Sequence, residues 1–312
     1  MGFLIGILSL IALILLTSFI CFLKVFYSFN KKPLKDGEYD IPPGEEYLPY
    51  KDKMIKWQKE TRDLPSQSFA ITTFDGLKLC GKYYEYAPGT PIELMFHGYK
   101  GSAERDLGGG VQRCFALKRS ALLVDQRGAG KSQGRVITFG VKESIDGLEW
   151  VNFMIEHFGK DVKIILTGIS MGAATVLMAS GRKLPENVVG VLADCGYTSA
   201  KEIIEKIITQ MKLPKKIVYP FIKLGAKLYG GFNLEEDSPI EAVKHCSVPA
   251  IFFHGDKDGF VPFEMSVENY NACSSQKELV LVPGADHGLS FPANEAAYLK
   301  TLDEFGHKYW NI

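Results

Sequence analysis

One stretch of the sequence, residues 163–174, constrains the fold more than any other. An apolar, β-branched run ends there at the pentapeptide Gly-Ile-Ser-Met-Gly, residues 168–172, and a run of small residues follows. The apolar run predicts a buried strand, and the small residues predict a helix packed closely on a sheet. Ser170 is expected on a tight turn between them, with the two flanking glycines where a Cβ would clash. This turn lifts the serine hydroxyl out of the sheet and leaves the Met171 N–H at a helix N-terminus, which favours negative charge.

The chain from residue 65 onward predicts one α/β domain. A strand-like hairpin, residues 69–74 and 77–86, is followed by apolar runs that alternate with helical stretches. The apolar runs are residues 92–96, 121–124, 162–167, 188–193, 250–253 and 278–282. Since such strands are buried on both faces, we expect a mostly parallel central sheet with helices on both faces. Between about residues 197 and 246 the chain carries more helical sequence than one crossover requires, which predicts a helical lid inserted over the strand ends.

By itself the pentapeptide also fits an ordinary strand-to-helix turn, so its partners decide its meaning. A free serine hydroxyl needs a general base to become a nucleophile, and an imidazole is the usual base near neutral pH. Five of the six histidines are expected on the surface or fixed at a strand end: His97, His157, His245, His254 and His307. His287 differs because it follows the last strand on a loop with glycines on both sides, which lets the imidazole turn towards the strand ends. We therefore predict His287 as the base.

The base needs an acid that holds its tautomer and stabilises the imidazolium. Two aspartates follow the strand that ends at residue 253. Asp258 lies further out on the loop, where its side chain can reach the loop of His287. Asp256 is expected to form the turn by bonding to its own backbone. We predict Asp258 as the acid, which gives the chain order Ser, Asp, His of the α/β-hydrolases.

An acyl-transfer site also needs donors for the developing oxyanion. The Met171 N–H is the first candidate. The second is expected on the loop after the first buried strand, which reads His97-Gly98-Tyr99-Lys100-Gly101. Because the glycines let this backbone approach a ligand closely, we predict the Tyr99 N–H as the second donor. An ordinary glycine-rich turn is the alternative interpretation.

Together these motifs resemble the α/β-hydrolase superfamily over roughly residues 65–308. The stretches that carry the resemblance are residues 168–172, His97-Gly98, residues 125–132, residues 254–262 and Asp286-His287-Gly288. They are most similar to the lid-bearing, serine aminopeptidase-like and esterase branch, whose members often carry an N-terminal membrane helix. The resemblance implies the α/β-hydrolase fold, a catalytic triad of Ser170, Asp258 and His287, and an oxyanion hole formed by Tyr99 and Met171. Asp286 is a departure, since many relatives have glycine at that position.

The activity expected on this basis is hydrolysis of carboxylic esters or thioesters through an acyl-enzyme, with a small hydrophobic or acyl substrate. A serine aminopeptidase-like enzyme is an alternative. It would need an acidic group for the substrate's ammonium, for which Glu104, Glu202 and Asp194 are candidates. A non-catalytic, membrane-bound binding module is the third interpretation. No cofactor or metal is expected, because no cluster has metal-ligand spacing and residues 125–132 fit neither nucleotide-binding motif. The chain has 36 basic and 36 acidic residues, which gives no indication of nucleic acid as a partner.

Residues 2–23 carry no charge and predict a single transmembrane anchor. At about 1.5 Å per residue this run spans roughly 33 Å as a helix, which matches the hydrocarbon core of a bilayer. A cleaved signal peptide is the alternative, but no Lys or Arg precedes the run and no small-x-small site follows it. Four lysines lie on the C-terminal flank and predict a cytoplasmic catalytic domain: Lys24, Lys31, Lys32 and Lys35. Six cysteines without paired spacing agree with a reducing compartment.

The remaining boundaries follow from composition. Residues 24–64 predict a Pro-rich linker and a short helix at 54–62, and residues 65–312 form the predicted hydrolase domain. Within the predicted lid, residues 207–234 contain no acidic residue but five lysines: Lys212, Lys215, Lys216, Lys223 and Lys227. These lysines predict either a solvated basic face or a surface that rests on anionic lipid headgroups. A lipid bilayer is therefore the partner expected besides the substrate.

Overall fold

The computed structural model describes residues 1–29, 34–35 and 37–312, and its centre is a single eight-stranded sheet. The strands are β1 (Gln67–Thr72), β2 (Lys78–Tyr84), β3 (Ile92–Phe96), β4 (Ser120–Asp125), β5 (Ile164–Ile169), β6 (Val188–Asp194), β7 (Ala250–Gly255) and β8 (Lys277–Val282). They lie in the order β1-β2-β4-β3-β5-β6-β7-β8. β2 pairs antiparallel with β1 and β4, and every other neighbouring pair is parallel. The mostly parallel sheet predicted from the sequence is confirmed.

The parallel strands are buried on both faces, as their apolar runs predicted. Alternate residues of each strand enter different clusters, so that Leu94 and Leu166 contact one core while Met95 and Ile165 contact cores on the opposite face. Glu93 of β3 interrupts this pattern with a fully buried carboxylate. Two buried arginines that pair with this carboxylate account for its presence in the core.

The Glu93 carboxylate forms ion pairs with two buried arginines. It contacts Arg113 and Arg119, and it accepts a hydrogen bond from the Thr167 hydroxyl at 3.0 Å. Burial alone raises the pKa of Glu93, but the two guanidinium groups lower it below its ordinary value. A buried charge is stable in a protein core only with such partners. With them, the Glu93 carboxylate can lie in the middle of the sheet, on a strand between β4 and β5.

Helices cover both faces of the sheet, as expected. The α-helices of the described residues are α1 (Gly2–Val25), α2 (Lys51–Asp63), α3 (Ala103–Ala116), α4 (Glu143–Phe158), α5 (Met171–Ser180), α6 (Ala200–Gln210), α7 (Lys215–Tyr229), α8 (Pro239–Ala242), α9 (Phe263–Ala272), α10 (Ser290–Ala293) and α11 (Glu295–Phe305). α4 and α5 pack in the core on one face, whereas α3 and α11 supply side chains to the clusters on the other. The small residues of α5, all buried, allow this helix to lie close to the strands.

The predicted insertion between β6 and β7 consists of α6, α7 and α8. The apolar stripe of α6 faces inwards, with Ile203, Ile204 and Ile208 buried, while Met211 just beyond it is exposed. These side chains join a cluster that also contains Met171, directly after Ser170. We call residues 197–246 the helical insertion. Its core is thus continuous with the end of the sheet that carries Ser170.

The N-terminal helix α1 is long and apolar enough to cross a membrane, with a mean hydropathy of 2.8 over its most apolar window. It ends two residues later than predicted, and its end is built into the domain. Phe26 is fully buried against the rings of Phe139 and Phe232. The backbones of Phe26 and Ser28 bond to those of Ile137 and Arg135. The residues directly after the helix therefore form part of the fold rather than a linker.

The rest of the predicted linker is also more structured than its composition suggested. Lys31, Lys32 and Pro33 lie outside the described residues. The predicted short helix is α2, and a 3-10 helix, Glu45–Tyr50, precedes it. Tyr47 in this segment is buried, and it approaches the loop after Asp286. The segment before α2 is therefore packed on the α/β domain.

Candidate active site

Ser170 lies between β5 and α5 in a backbone conformation that few residues other than glycine adopt, with φ 56° and ψ −116°. The turn is possible because its neighbours lack side chains. A Cβ on Gly168 would lie 2.1 Å from the carbonyl oxygen of Gly172, and one on Gly172 would lie 2.0 Å from that of Phe96. The Ser170 N–H donates to the Asp194 carbonyl at 2.8 Å, which ties the turn to β6. The predicted tight turn is present.

The three residues predicted as nucleophile, base and acid form a hydrogen-bonded chain. Ser170 Oγ lies 2.9 Å from His287 Nε2, and His287 Nδ1 lies 2.7 Å from Asp258 Oδ2. They come from the loops after β5, β8 and β7, whose carboxyl ends share one edge of the sheet. Because Asp258 is an acceptor, the His287 proton lies on Nδ1 and leaves Nε2 free to accept from the serine hydroxyl.

Asp258 is held as a carboxylate by four donors. Its Oδ1 accepts from the N–H groups of Phe260 and Val261 at 2.9 and 2.7 Å, while Oδ2 faces His287 and, at 3.1 Å, His254 Nε2. Burial alone would raise the pKa of Asp258, but the hydrogen bonds from the two imidazoles lower it well below its ordinary value. The group therefore stays ionised beside His287.

His254 is a partner of this carboxylate that sequence reasoning did not identify. It is fully buried at the end of β7, and its Nε2 faces two acceptors, Asp258 Oδ2 and the Val261 carbonyl at 2.9 Å. Nε2 therefore carries a proton, while Nδ1 bonds with the Ser266 hydroxyl at 2.6 Å. The available signal was the spacing of four residues between His254 and Asp258 on one turn. The spacing along the sequence does not indicate on which side of the loop the His254 ring lies.

The two other aspartates of these loops join the loops to each other. Asp256 was expected to bond to its own backbone, and this is wrong: its Oδ1 accepts from the N–H of Gly284, in the His287 loop, at 2.7 Å. Asp286 in turn accepts from the N–H of Gly259 at 2.9 Å. The pair links the loops of Asp258 and His287 in both directions. The unusual aspartate at position 286 thus has a structural role.

The two predicted backbone donors lie beside Ser170. Within the described part of the chain, neither the Tyr99 N–H nor the Met171 N–H has a hydrogen-bond acceptor. The loop of Tyr99 is fixed from behind by His97, whose Nε2 accepts from the Gln126 N–H at 3.0 Å and whose Nδ1 bonds with the Gly98 carbonyl at 2.8 Å. The geometry leaves both N–H groups free for a ligand.

The side chains of this loop contact the end of α1. The Tyr99 hydroxyl, protonated because burial raises its pKa, donates to the Val25 carbonyl at 2.6 Å. Lys100 Nζ donates to the Lys24 carbonyl at 2.9 Å. These carbonyls have no partners within their own helix, so the loop caps α1. The sequence carried no signal for this contact.

A cavity of about 350 Å³ lies against Ser170 and His287. Its wall includes Tyr99, which was predicted from the sequence, and Phe260. It also includes residues of the predicted linker that were not expected there: Pro42, Pro43, Glu46 and Tyr47. Arg105 and Asp106 also line it and pair with each other at 2.6 Å. The linker residues were missed because a Pro-rich segment shows no periodicity that would locate it on the domain.

The three acids considered for binding a substrate ammonium do not line this cavity. Glu104 pairs with Arg62, and Glu202 accepts a hydrogen bond from the Thr198 hydroxyl. Asp194 is buried and accepts from the Ser290 hydroxyl at 2.7 Å. Glu46 and Asp106 are the carboxylates on the cavity wall.

Among the described residues, one group of side chains has the proximity of metal ligands: Cys195, Asp258 and His287, with atoms within 4.8 Å of one another. The hydrogen bonds above already occupy the Asp258 oxygens and His287 Nδ1. Burial raises the pKa of Cys195 far above its ordinary value, so the thiol keeps its proton and is a poor ligand. The arrangement suits proton transfer between Ser170 and His287 better than metal binding.

The chain is similar to known proteins in sequence and in fold. No protein-family model matches the chain. It is 26% identical over 187 residues to YqkD of Bacillus subtilis (strain 168), covering 60% of this chain and 61% of YqkD. It is 27% identical over 192 residues to protein bem46 of Schizosaccharomyces pombe, covering 60% of this chain and 58% of bem46. The matches thus span about three fifths of the length of these two relatives.

Two solved structures extend the similarity over most of the chain. The esterase Pf2001 of Pyrococcus furiosus superposes with a TM-score of 0.62 at 21% identity, covering 81% of this chain and 94% of the esterase. The acylaminoacyl peptidase of Pyrococcus horikoshii gives a TM-score of 0.58 at 15% identity, covering 81% of this chain and 43% of the peptidase. At these identities the similarity concerns the fold. The chain therefore has the α/β-hydrolase fold that its motifs predicted.

Proposed function

We propose that this protein is a serine hydrolase that cleaves carboxylic esters or thioesters through an acyl-enzyme. One observation carries the proposal: Ser170 Oγ, His287 and Asp258 form a continuous hydrogen-bonded chain at 2.9 and 2.7 Å. A binding module would have no need of a strained serine, an imidazole of defined tautomer and an ionised aspartate in contact with one another.

The chemistry follows from these contacts. Ser170 Oγ attacks the carbonyl carbon of the substrate while its proton passes to His287 Nε2, and Asp258 stabilises the imidazolium that forms. The N–H groups of Tyr99 and Met171 donate to the oxyanion of the tetrahedral intermediate. His287 then protonates the leaving alkoxide or thiolate, and an acyl group remains on Ser170. A water molecule, deprotonated by His287, attacks the acyl group and releases the carboxylic acid.

An apolar acyl group fits the cavity better than a peptide N-terminus. Tyr99, Phe260 and Tyr47 contribute aromatic wall, and Asp106 is already neutralised by Arg105 and accepts from the Gly98 N–H at 3.2 Å. Glu46 alone favours the second candidate, a serine aminopeptidase-like enzyme, because it is a carboxylate on the wall without an ion pair among the described residues. Rates on acyl esters of graded length and on aminoacyl amides separate the two activities.

Covalent labelling tests the hydrolase proposal. We expect a fluorophosphonate probe to attach to the purified chain, and peptide mass analysis to place the adduct on Ser170, because the probe's phosphorus reacts with activated serine oxygens. Heat-denatured protein is the control and is expected to remain unlabelled, since the hydrogen-bonded chain is then lost. An adduct on another residue, or none, would contradict the proposed nucleophile.

We also propose that α1 is a retained membrane anchor and that the helical insertion acts as a lid. A cleaved signal peptide can be equally long and apolar. Cleavage after the apolar run would, however, remove Phe22, a buried side chain of the cluster that reaches Met171. Burial of a side chain as large as Phe22 is worth about 1.5–3 kcal/mol. A segment that the fold needs in this way is expected to stay attached.

The orientation proposed is a single pass with the domain in the cytoplasm. Lys24 and Lys35 support it from the C-terminal flank, as do Lys31 and Lys32, which lie outside the described residues. Protease added to intact cells is expected to leave the domain whole and to digest it only after permeabilisation. Digestion in intact cells would place the domain on the outside.

A further inference from the structure

The second half of α1 lies against α7 of the helical insertion. The Tyr229 hydroxyl donates to the Leu15 carbonyl at 3.0 Å, and the Tyr229 ring lies 5.0 Å from that of Phe19. Further along, a Cβ on Gly225 would lie 2.5 Å from the Ser18 carbonyl oxygen, so the glycine permits the close approach. Tyr229, the last residue of α7, contacts Leu15, whereas the earlier Gly225 contacts Ser18. The two helices therefore run in opposite directions.

This contact leaves too little of α1 free to cross a bilayer above the domain. Residues 1–14 precede the contact and span roughly 21 Å at about 1.5 Å per residue. The hydrocarbon core is about 30 Å thick, so about 9 Å of it must be crossed by the part of α1 that is packed on α7. A tilt of the helix increases this overlap, because a tilted helix crosses less thickness per residue. The end of α7 that touches Leu15 is therefore drawn into the leaflet next to the domain, up to about 9 Å below the headgroups.

The exposed side chains at that end of α7 suit a membrane surface. The large apolar side chain of Leu228 is 50% exposed, and the aromatic side chain of Tyr229 is 36% exposed. Tyrosine is enriched where hydrocarbon meets headgroups. Lys227 forms no ion pair with a described residue, whereas Lys223 on the same helix is paired with Glu235. A free lysine there can extend its charge to lipid phosphates.

We propose that the C-terminal end of α7, Gly225–Tyr229, is seated in the leaflet of the bilayer next to the domain, with Tyr229 up to about 9 Å below the headgroup layer and Lys227 extending towards it. This inference rests on the anchoring part of the proposed function. It deepens the proposal for the site, because Tyr99 and Lys100 of the cavity wall bond to the last carbonyls of α1. From the expected edge of the hydrocarbon, near residue 21, to Val25 is about 6 Å. The substrate class that fits is an amphiphile whose acyl chain lies in the bilayer and whose ester group lies at headgroup level.

Tryptophan quenching by brominated lipids tests the seating. The full-length chain is reconstituted in phosphatidylcholine and phosphatidylserine vesicles, with bromine near the headgroup end of the acyl chains. Leu228→Trp reports the end of α7, and Ile217→Trp is the matched control, since it is 61% exposed on the same helix but eleven residues away. Ile11→Trp, in the free part of α1, reports insertion. Wild-type emission, from three buried tryptophans, sets the background, and near-ultraviolet circular dichroism confirms the fold of each variant.

We expect Ile11→Trp and Leu228→Trp to lose emission in brominated vesicles and Ile217→Trp to keep it. Loss at Ile11→Trp without loss at Leu228→Trp would overturn the seating and leave the anchor standing. Equal loss at Ile217→Trp and Leu228→Trp would mean that α7 lies flat along the surface. It would overturn the proposal that α7 enters the leaflet by its C-terminal end. No loss at any position would overturn both the anchor and the seating. Labelling of Ser170 is measured separately, so the hydrolase proposal is judged by its own result.

Discussion

Turnover of a short-chain ester is expected to fall by about a million-fold when Ser170 is replaced by alanine. The substitution removes one oxygen, the atom that lies 2.9 Å from His287 Nε2, and leaves the backbone of the turn unchanged. The residual rate would come from the Tyr99 and Met171 N–H groups acting on bound substrate. The measurement is the steady-state rate of ester hydrolysis by purified Ser170→Ala against wild type, with the fold checked by circular dichroism.

Two comparisons make this result interpretable. Ser199→Ala removes a hydroxyl that caps α6 and does not line the cavity, so its rate is expected within a few-fold of wild type. Ser170→Ala combined with His287→Ala is expected to cost little more than Ser170→Ala alone, because the two groups act as one unit. A Ser170→Ala variant that keeps a tenth of the wild-type rate would exclude Ser170 as the nucleophile.

Asp258→Asn is expected to lower the turnover number by about ten-thousand-fold. An amide at this position can donate a hydrogen bond to His287 Nδ1, which favours the tautomer with its proton on Nε2. That tautomer cannot accept the Ser170 proton, although the packing of the loop is nearly unchanged. His254 would retain its bond with the Val261 carbonyl at 2.9 Å, so the loop is expected to stay folded. Ester hydrolysis at saturating substrate measures the loss.

Asp256→Asn is the matched control for this prediction. Asp256 lies two residues away on the same loop and accepts from the Gly284 N–H, and an asparagine oxygen can accept the same bond. Its turnover number is therefore expected within a few-fold of wild type. If Asp256→Asn instead lost activity and Asp258→Asn kept it, Asp256 would be the acid.

The lowered pKa of Asp258 also predicts how this carboxyl group responds to pH. A carboxyl group whose folded-state pKa is depressed keeps its effect above the ordinary carboxyl pKa of about 4 and loses it only as the pH falls through the folded-state value. Asp258 is therefore expected to stay ionised above about pH 4, which is measured as the difference in carboxylate infrared absorption between wild type and Asp258→Asn. Loss of this carboxylate signal between neutral pH and that value would mean that Asp258 takes up a proton there.

The sequence by itself determined the sheet and the three side chains at its edge. Continuous apolar runs predict parallel strands, and the carboxyl ends of parallel strands meet at one edge. Residues in the loops after three such runs, Ser170, Asp258 and His287, were therefore expected to converge, although Ser170 and His287 are 117 positions apart. The glycines around Ser170 carried the same information locally, because a Cβ on Gly168 would clash with the Gly172 carbonyl and one on Gly172 with that of Phe96.

Only the tertiary structure decided which further groups surround these residues. His254 bonds to Asp258, Tyr47 of the predicted linker reaches the cavity, and the Tyr99 hydroxyl caps α1. None of these contacts follows from periodicity, because each joins a loop or helix end to a segment whose direction is set by packing elsewhere. A pattern along the chain reports which face of an element is buried. Which partner covers that face depends on how distant elements dock, and the folded structure alone contains that information.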